Sequence, residues 1–348
     1  MNRRTLWNNR IWVVALVLGL LVAACASDDS RTTETTSTPQ QTSPEDTAAG
    51  ASGAAGANVV LLTVTEECEY CALHLRKFRE VAEAAGINLD VKITNFDPAE
   101  QATQVDQALS QNPDLIVLWP ADASALIPSI NKIRDAGIPL VVSNSKPEVA
   151  EPLWDVYTGP DDYGNGVTAA RAMIQGFEEL GFGDSGTVFV VVGVLGTPPQ
   201  IQRLAGFKDT LAAEAPGIEV VADQPGNWDQ TQATEAAAAL FTQFPDIDGV
   251  YAQADNMLAG VIVAAQRADI DPASIVLVGS NCSIEGVTAM EAGTQYASVL
   301  QSPIEDGRLA AEAAVSLLNG ETVEQTIFIT PELITKDNTT DCYAAIGR

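Results

Sequence analysis

The sequence predicts an α/β protein of two lobes, each a parallel sheet covered by helices on both faces. Three observations predict it. From Asn58 onward, short β-branched runs without polar alternation take turns with longer helical patterns. A strand that is apolar on both sides must be covered on both sides, which is the pattern of parallel sheet. The rhythm then restarts beyond Asp161. Gln101-Ala102-Thr103 followed by Asn112-Pro113-Asp114-Leu115 recurs as Gln232-Ala233-Thr234 followed by Phe244-Pro245-Asp246-Ile247, as in a duplicated lobe. With 348 residues, 46% of them apolar, each lobe can bury a core.

The elements follow in order. Val59–Val64 reads as a strand, followed by a helix through Leu75, Phe78, Val81 and Ala82 that ends at Gly86. Leu89–Thr94 is a strand, Glu100–Ser110 a helix, Leu115–Trp119 a strand, Leu126–Ala136 a helix and Pro139–Val142 a strand. Gly137 stands where a helix C-cap is expected. The second half gives helix Gly166–Leu180, strand Thr187–Val192, helix Gln200–Ala213, strand Glu219–Ala222, helix Gln230–Phe241 and strand Val250–Ala252.

Ahead of these elements the chain has a different character. Arg3, Arg4 and Arg10 precede an apolar run, Ile11 to Leu21, that is short for a membrane span and reads as a signal-peptide core. It ends in Leu21-Val22-Ala23-Ala24-Cys25, which resembles the lipobox of bacterial lipoproteins. That resemblance implies removal of residues 1–24 and a diacylglyceryl anchor on Cys25. Two acyl chains suffice for stable anchoring, so an extracytoplasmic protein held at the outer face of the cell membrane is expected. Residues 26–57 are Thr, Ser, Ala, Gly, Pro and Gln with almost no large apolar side chain, and read as a disordered tether. Flexible-chain scaling gives it a reach of roughly 30 Å.

The net charge of −28, from 46 acidic and 18 basic residues, repels phosphate backbones and excludes nucleic acid as a partner. No Ser-His-Asp set and no phosphate-binding loop is present, and an enzyme is not expected.

Five segments carry a more specific likeness: Asp114-Leu-Ile-Val-Leu-Trp-Pro-Ala-Asp122, Ala136-Gly-Ile-Pro-Leu-Val-Val142, Arg203-Leu-Ala-Gly-Phe207, Pro245-Asp-Ile-Asp-Gly-Val250 and Ile275-Val-Leu-Val-Gly279. In this order they resemble the type I periplasmic binding proteins of the ribose/galactose group, over Asn58 to Thr335. The resemblance implies two flavodoxin-like lobes joined by a three-strand hinge. Lobe one is then 58–159 plus 302–330, and lobe two 160–301 plus 331–348, with crossings near Gly159, Gln301 and Thr330.

Open parallel sheets bind ligands beyond the carboxyl ends of their strands. The residues found there are Glu67 to Cys71, Trp119, Asn144 and Ser145 in the first half, and Arg203, Trp228, Ala254, Asp255, Asn281 and Gln301 in the second. Aromatic faces stack on sugar C–H surfaces, while amides and a guanidinium pair with hydroxyls. The ligand-binding set is Cys68, Tyr70, Cys71, Trp119, Asn144, Ser145, Arg203, Trp228, Asp255, Asn281 and Gln301. Arg203, Trp228 and Gln301 match the family pattern, whereas Asn144 and Asn281 stand where the family has aspartates. That exchange lowers the negative charge of the cleft and leaves a sugar, polyol, cyclitol or mildly acidic ligand open.

Four cysteines remain beyond Cys25, an even number suited to disulfides in an exported chain. The implied lobe assignment puts Cys68 and Cys71 in lobe one, and Cys282 and Cys342 in lobe two. Bridges within lobes leave closure free, which favours Cys68–Cys71 and Cys282–Cys342. Cys68-x-x-Cys71-x-x-His74 also has metal-site spacing, but lacks a fourth ligand. No cofactor and no metal is called for. The function implied is that of a monomeric binding subunit delivering a small polar ligand, a monosaccharide or related polyol or cyclitol, to the permease of an ABC importer. The alternatives are a sensory binding protein that reports ligand to a chemoreceptor or kinase, and a thiol-redox protein using Cys68 and Cys71.

Overall fold

The structure, a computed structural model, describes residues 53–348. The apolar run Ile11 to Leu21 and Cys25 lie outside the described residues. Residues 53–57, which composition assigned to the tether, belong to the folded body. Ala54 and Ala57 are buried, and the Ala54 N–H donates to Asn319 Oδ1 at 2.9 Å. Small side chains cannot build a core, but they can fill space against one. Composition alone therefore sets the boundary a few residues late.

The first half contains β1 (Asn58–Thr63), α1 (Glu69–Ala84), β2 (Asn88–Ile93), α2 (Pro98–Gln111), β3 (Leu115–Leu118), α3 (Ile127–Asp135), β4 (Leu140–Ser143) and β5 (Val156–Pro160). The second contains α4 (Asp162–Leu180), β6 (Ser185–Val192), α5 (Pro198–Glu214), β7 (Gly217–Pro225), α6 (Gln230–Gln243), β8 (Gly249–Ala252), α7 (Asp255–Arg267), β9 (Val276–Ser280), α8 (Ile284–Glu291) and β10 (Ala297–Leu300). The end of the chain adds α9 (Pro303–Leu318), β11 (Thr326–Ile329), β12 (Glu332–Thr335) and α10 (Thr339–Ala345). Two six-stranded sheets result, ordered β11-β5-β4-β3-β1-β2 and β12-β10-β9-β8-β6-β7. The backbone passes from one sheet to the other after β5, after β10 and after β11.

Both sheets are buried on both faces, which explains the unbroken apolar runs. Val59, Leu61, Leu115 and Val117 point into a core with Leu75 and Phe78 of α1 and Ala310 and Ala314 of α9. Their neighbours Val60, Leu62, Ile116 and Leu118 point to the opposite core, with Val105 of α2 and Ile130 of α3. The second sheet repeats this. Phe189 and Val191 pack with α6 and α7, and Val188 and Val190 pack with Phe177 of α4 and Phe207 of α5.

One strand departs from the parallel expectation. β12 runs antiparallel to β10, with Ala297 opposite Thr335 and Leu300 opposite Glu332. β11 lies parallel to β5 and ends at Ile329, so only Thr330 and Pro331 separate it from β12. A chain that leaves the carboxyl edge of one sheet and continues without reversal enters the next against its strands. β7 is also longer than expected, because its polar residues Asp223 and Gln224 still pair with β6.

Candidate functional site

Each sheet ends its fourth strand with the same device. Asn144 follows β4 in a left-handed conformation, φ 61°, and its N–H donates to Thr158 O of the next strand at 2.8 Å. Asn281 follows β9 with φ 89°, and its N–H donates to Val299 O at 2.8 Å. Asparagine tolerates this region better than most residues, so it can make this turn and keep its side-chain amide for other partners. Beside Asn144, Gly159 has φ 153°, and a Cβ there would stand 2.9 Å from the Asn144 backbone. Only glycine lets the β5 crossing pass so close.

Arg203 on α5 is the hub of the second half. Nε donates to Asp162 Oδ1 at 2.9 Å, Nη1 to Gln253 O at 2.7 Å and Asn281 Oδ1 at 3.3 Å, and Nη2 to Gln301 Oε1 at 2.5 Å. Its guanidinium carbon lies 5.6 Å from the Trp228 ring centroid. Trp228 precedes α6 with φ 60° and presses on Gly193, where a Cβ would come within 1.9 Å of the indole. Gly193 is thus what lets the indole settle on the end of β6.

A hydrogen-bonded chain continues into the first half. Gln301 Nε2 donates to the Tyr70 hydroxyl at 3.0 Å, and that hydroxyl donates to Asp306 Oδ2 at 2.9 Å. Asn144 Nδ2 donates to the same oxygen at 2.7 Å. Five expected residues, Tyr70, Asn144, Arg203, Asn281 and Gln301, are therefore joined in one network, with Trp228 against its arginine.

The other expected residues lie outside this hydrogen-bonded network, and both expected disulfides are present. Asp255 is buried and its carboxylate is used up inside the second half, accepting from Ser283 N at 3.0 Å, Gln295 Nε2 at 2.9 Å and Ser298 Oγ at 2.8 Å. It braces the β9 and β10 ends. Trp119 is only 5% exposed, edge-on to His74 at 4.9 Å and to Tyr70 at 6.1 Å, so little of its ring can stack on a ligand. It props Tyr70. Cys68 and Cys71 are disulfide-linked, and Cys68 Sγ accepts from Cys71 N at the start of α1. The bridge shapes the loop that carries Tyr70. Ser145 is buried, its N–H turned to Ser143 O at 2.8 Å. His74 is buried with Nε2 3.0 Å from Ser143 Oγ, and burial pulls its pKa down to about 3, so it stays neutral. A second disulfide joins Cys282 to Cys342.

Two residues of the network were missed from the sequence. Asp162, the partner of Arg203, is buried, and burial raises its pKa despite the arginine. Asp306 is fully buried, and burial pushes its carboxyl up to about 7 against the opposing pull of Asn144 and Tyr70. Both sit in first turns of helices, where acidic residues are commonplace and carry no functional signal. The expectation that Asn144 and Asn281 lower the negative charge of the cleft did not count Asp306. A carboxylate is present, one hydrogen bond behind Asn144.

Residues 59–322 match the family model described as a periplasmic binding protein domain. A rhizopine-binding protein assigned as such in Rhizobium meliloti is 29% identical over 256 residues, 73% of this chain and 81% of that protein. The xylitol-binding protein of Mycolicibacterium smegmatis is 30% identical over 259 residues, 74% of this chain and 71% of that protein. Among solved structures, a Caulobacter myo-inositol binding protein bound to myo-inositol superposes with a TM-score of 0.77 at 21% identity, covering 84% of this chain and 97% of the other. A match of this extent, on two sheets whose strand ends converge on one polar network, settles the family. The chain belongs to the type I periplasmic binding proteins, solute-binding proteins and not enzymes.

Proposed function

We propose that this protein is the extracytoplasmic binding subunit of an ABC importer, held at the membrane by a lipidated Cys25, and that it closes by a hinge on a monosaccharide, polyol or cyclitol. The observation that carries the reading is the convergence of Asn144, Arg203, Asn281 and Gln301 in one network at the strand ends, with Trp228 beside them. Fixed donors and acceptors next to an aromatic face suit a hydroxylated ring. The relatives support the class, since their names specify rhizopine, xylitol and D-ribose or D-allose. The three passages between sheets, after Pro160, Leu300 and Ile329, are the hinge of this reading.

The test is calorimetry against ribose, allose, xylitol and myo-inositol, run on protein released by Cys25→Ala. Release of that variant, or accumulation of its unprocessed precursor, is expected of a lipid anchor, and processing and membrane fractionation unchanged from wild type argue against one. Saturable binding of at least one member of the panel, weakened in Asn281→Ala, is expected. Failure of all hydroxylated ligands to bind overturns the reading.

A further inference from the structure

The two asparagines at the strand ends are held in opposite senses. An arginine can only donate, so the bond from Arg203 Nη1 fixes Asn281 with its carbonyl oxygen turned to the guanidinium and its amino group left over. Asp306 Oδ2, which already accepts from the Tyr70 hydroxyl, accepts from Asn144 Nδ2 as well at 2.7 Å, and this turns the Asn144 amino group inward and leaves its carbonyl oxygen over. The second half therefore offers a ligand a donor, and the first half offers it an acceptor.

Charge sharpens the asymmetry. Asp162 and Arg203 form a buried ion pair at 2.9 Å and cancel. Asp306 makes no ion pair among the described residues. Its Oδ2 is held by the neutral donors Tyr70 and Asn144, and its buried Oδ1 has no hydrogen-bond partner. Neutral donors orient a buried carboxylate without neutralising it, and a buried charge without a counter-charge is costly. The titratable and charged groups around Asp306 are Tyr70 and the neutral His74 of α1, Tyr157 of β5, Asp162 of α4 and Glu305 of its own helix, and the nearest cation of the network, Arg203, stands behind Gln301 and Tyr70 and is already paired with Asp162. Burial keeps Asp306 near neutrality in pKa, about 7, so a ligand can tip it to the ionised form.

Resting on the sugar or cyclitol reading above, we infer that Asp306 is a specificity-determining residue that favours ligands carrying an ammonium group, namely aminodeoxy sugars or aminocyclitols, over their neutral hydroxyl counterparts. It acts through the Asn144 and Tyr70 it orients and through its own unmatched charge. A cation on the cleft side of Asn144 offsets the cost of the carboxylate behind it, whereas a hydroxyl only adds one more neutral donor.

Matched pairs test this: glucose against glucosamine, and myo-inositol against an aminodeoxy-inositol, by calorimetry between pH 5.5 and 7.5. The amino member of at least one pair should bind about tenfold or more tightly at pH 7, the scale of one charge-assisted contact. Its affinity should rise with pH across this window as Asp306 ionises, with the neutral member changing far less. Asp306→Asn keeps shape and hydrogen-bonding capacity, and should abolish both the preference and the pH slope. A neutral member that binds equally or more tightly overturns the inference and leaves the sugar reading standing. So does a preference that survives in Asp306→Asn, while binding of neither member of any pair removes the sugar reading as well. The wild-type pH profile decides the matter even if the variant folds poorly.

Discussion

At the residue scale, Arg203 has two roles that its position in the sequence does not separate. It matches the family pattern for a ligand contact, yet four hydrogen bonds already bind it to Asp162, Gln253, Asn281 and Gln301. Arg203 is 3% exposed and is as much a part of the fold as of the site. A side chain that reaches the strand ends from α5 looks dispensable for the fold, and its four buried hydrogen bonds contradict this. Removing one member of a buried ion pair leaves the other uncompensated, at a cost of about 3–5 kcal/mol. Arg203→Ala is expected to lose ligand affinity and also to lower the denaturation midpoint, measured by urea titration of the unliganded protein. Adding Asp162→Asn to it should recover part of the stability and none of the affinity. An unchanged midpoint in Arg203→Ala would show that the pair is worth no more than a surface contact.

At the scale of elements, the helices and central strands were legible because both faces of each sheet are buried. Leu61 and Leu62 face different cores, yet both had to be apolar. What was not legible belongs to residues whose identity is ordinary for their local position. Asp306 reads as an acidic first-turn residue of α9, and only the tertiary fold brings it to Tyr70 and Asn144, 236 and 162 positions away. Asp255 looked like a cleft residue because it follows β8, but it turns inward to Ser298. The antiparallel β12 follows from the route of the chain between sheets, which no local pattern records. The end of the chain is tied down by Cys282–Cys342, by Ser302 Oγ donating to Ala345 O at 2.8 Å, and by a small core of Val287, Met290 and Ile334. A bridge spanning 60 positions contributes about 4 kcal/mol by the chain-entropy account. Cys342→Ser should therefore lower stability by that order in thermal melts. It should also weaken ligand binding modestly, because Cys282 adjoins Asn281. A melt identical to wild type would mean that the small core alone holds the tail.

At the scale of the whole molecule, the network joins elements from both sides of the crossings. Its donors all point one way, from the Arg203 guanidinium through Gln301 and Tyr70 to the Asp306 carboxylate. Hydrogen bonds aligned in this sense polarise one another in a low-dielectric interior. A ligand that pairs with Asn144 on one side and Asn281 on the other makes its full set of contacts only when both sides are close. Binding then shifts the population towards the closed form, by no more than the difference in its affinity for the two forms. Neither disulfide opposes this motion, because each joins residues on the same side of the crossings. The most direct test is small-angle X-ray scattering of the oxidised protein, with and without a saturating ligand identified by calorimetry. Hinge closure predicts a smaller radius of gyration on saturation, with both disulfides intact. A radius of gyration unchanged at saturation would contradict it.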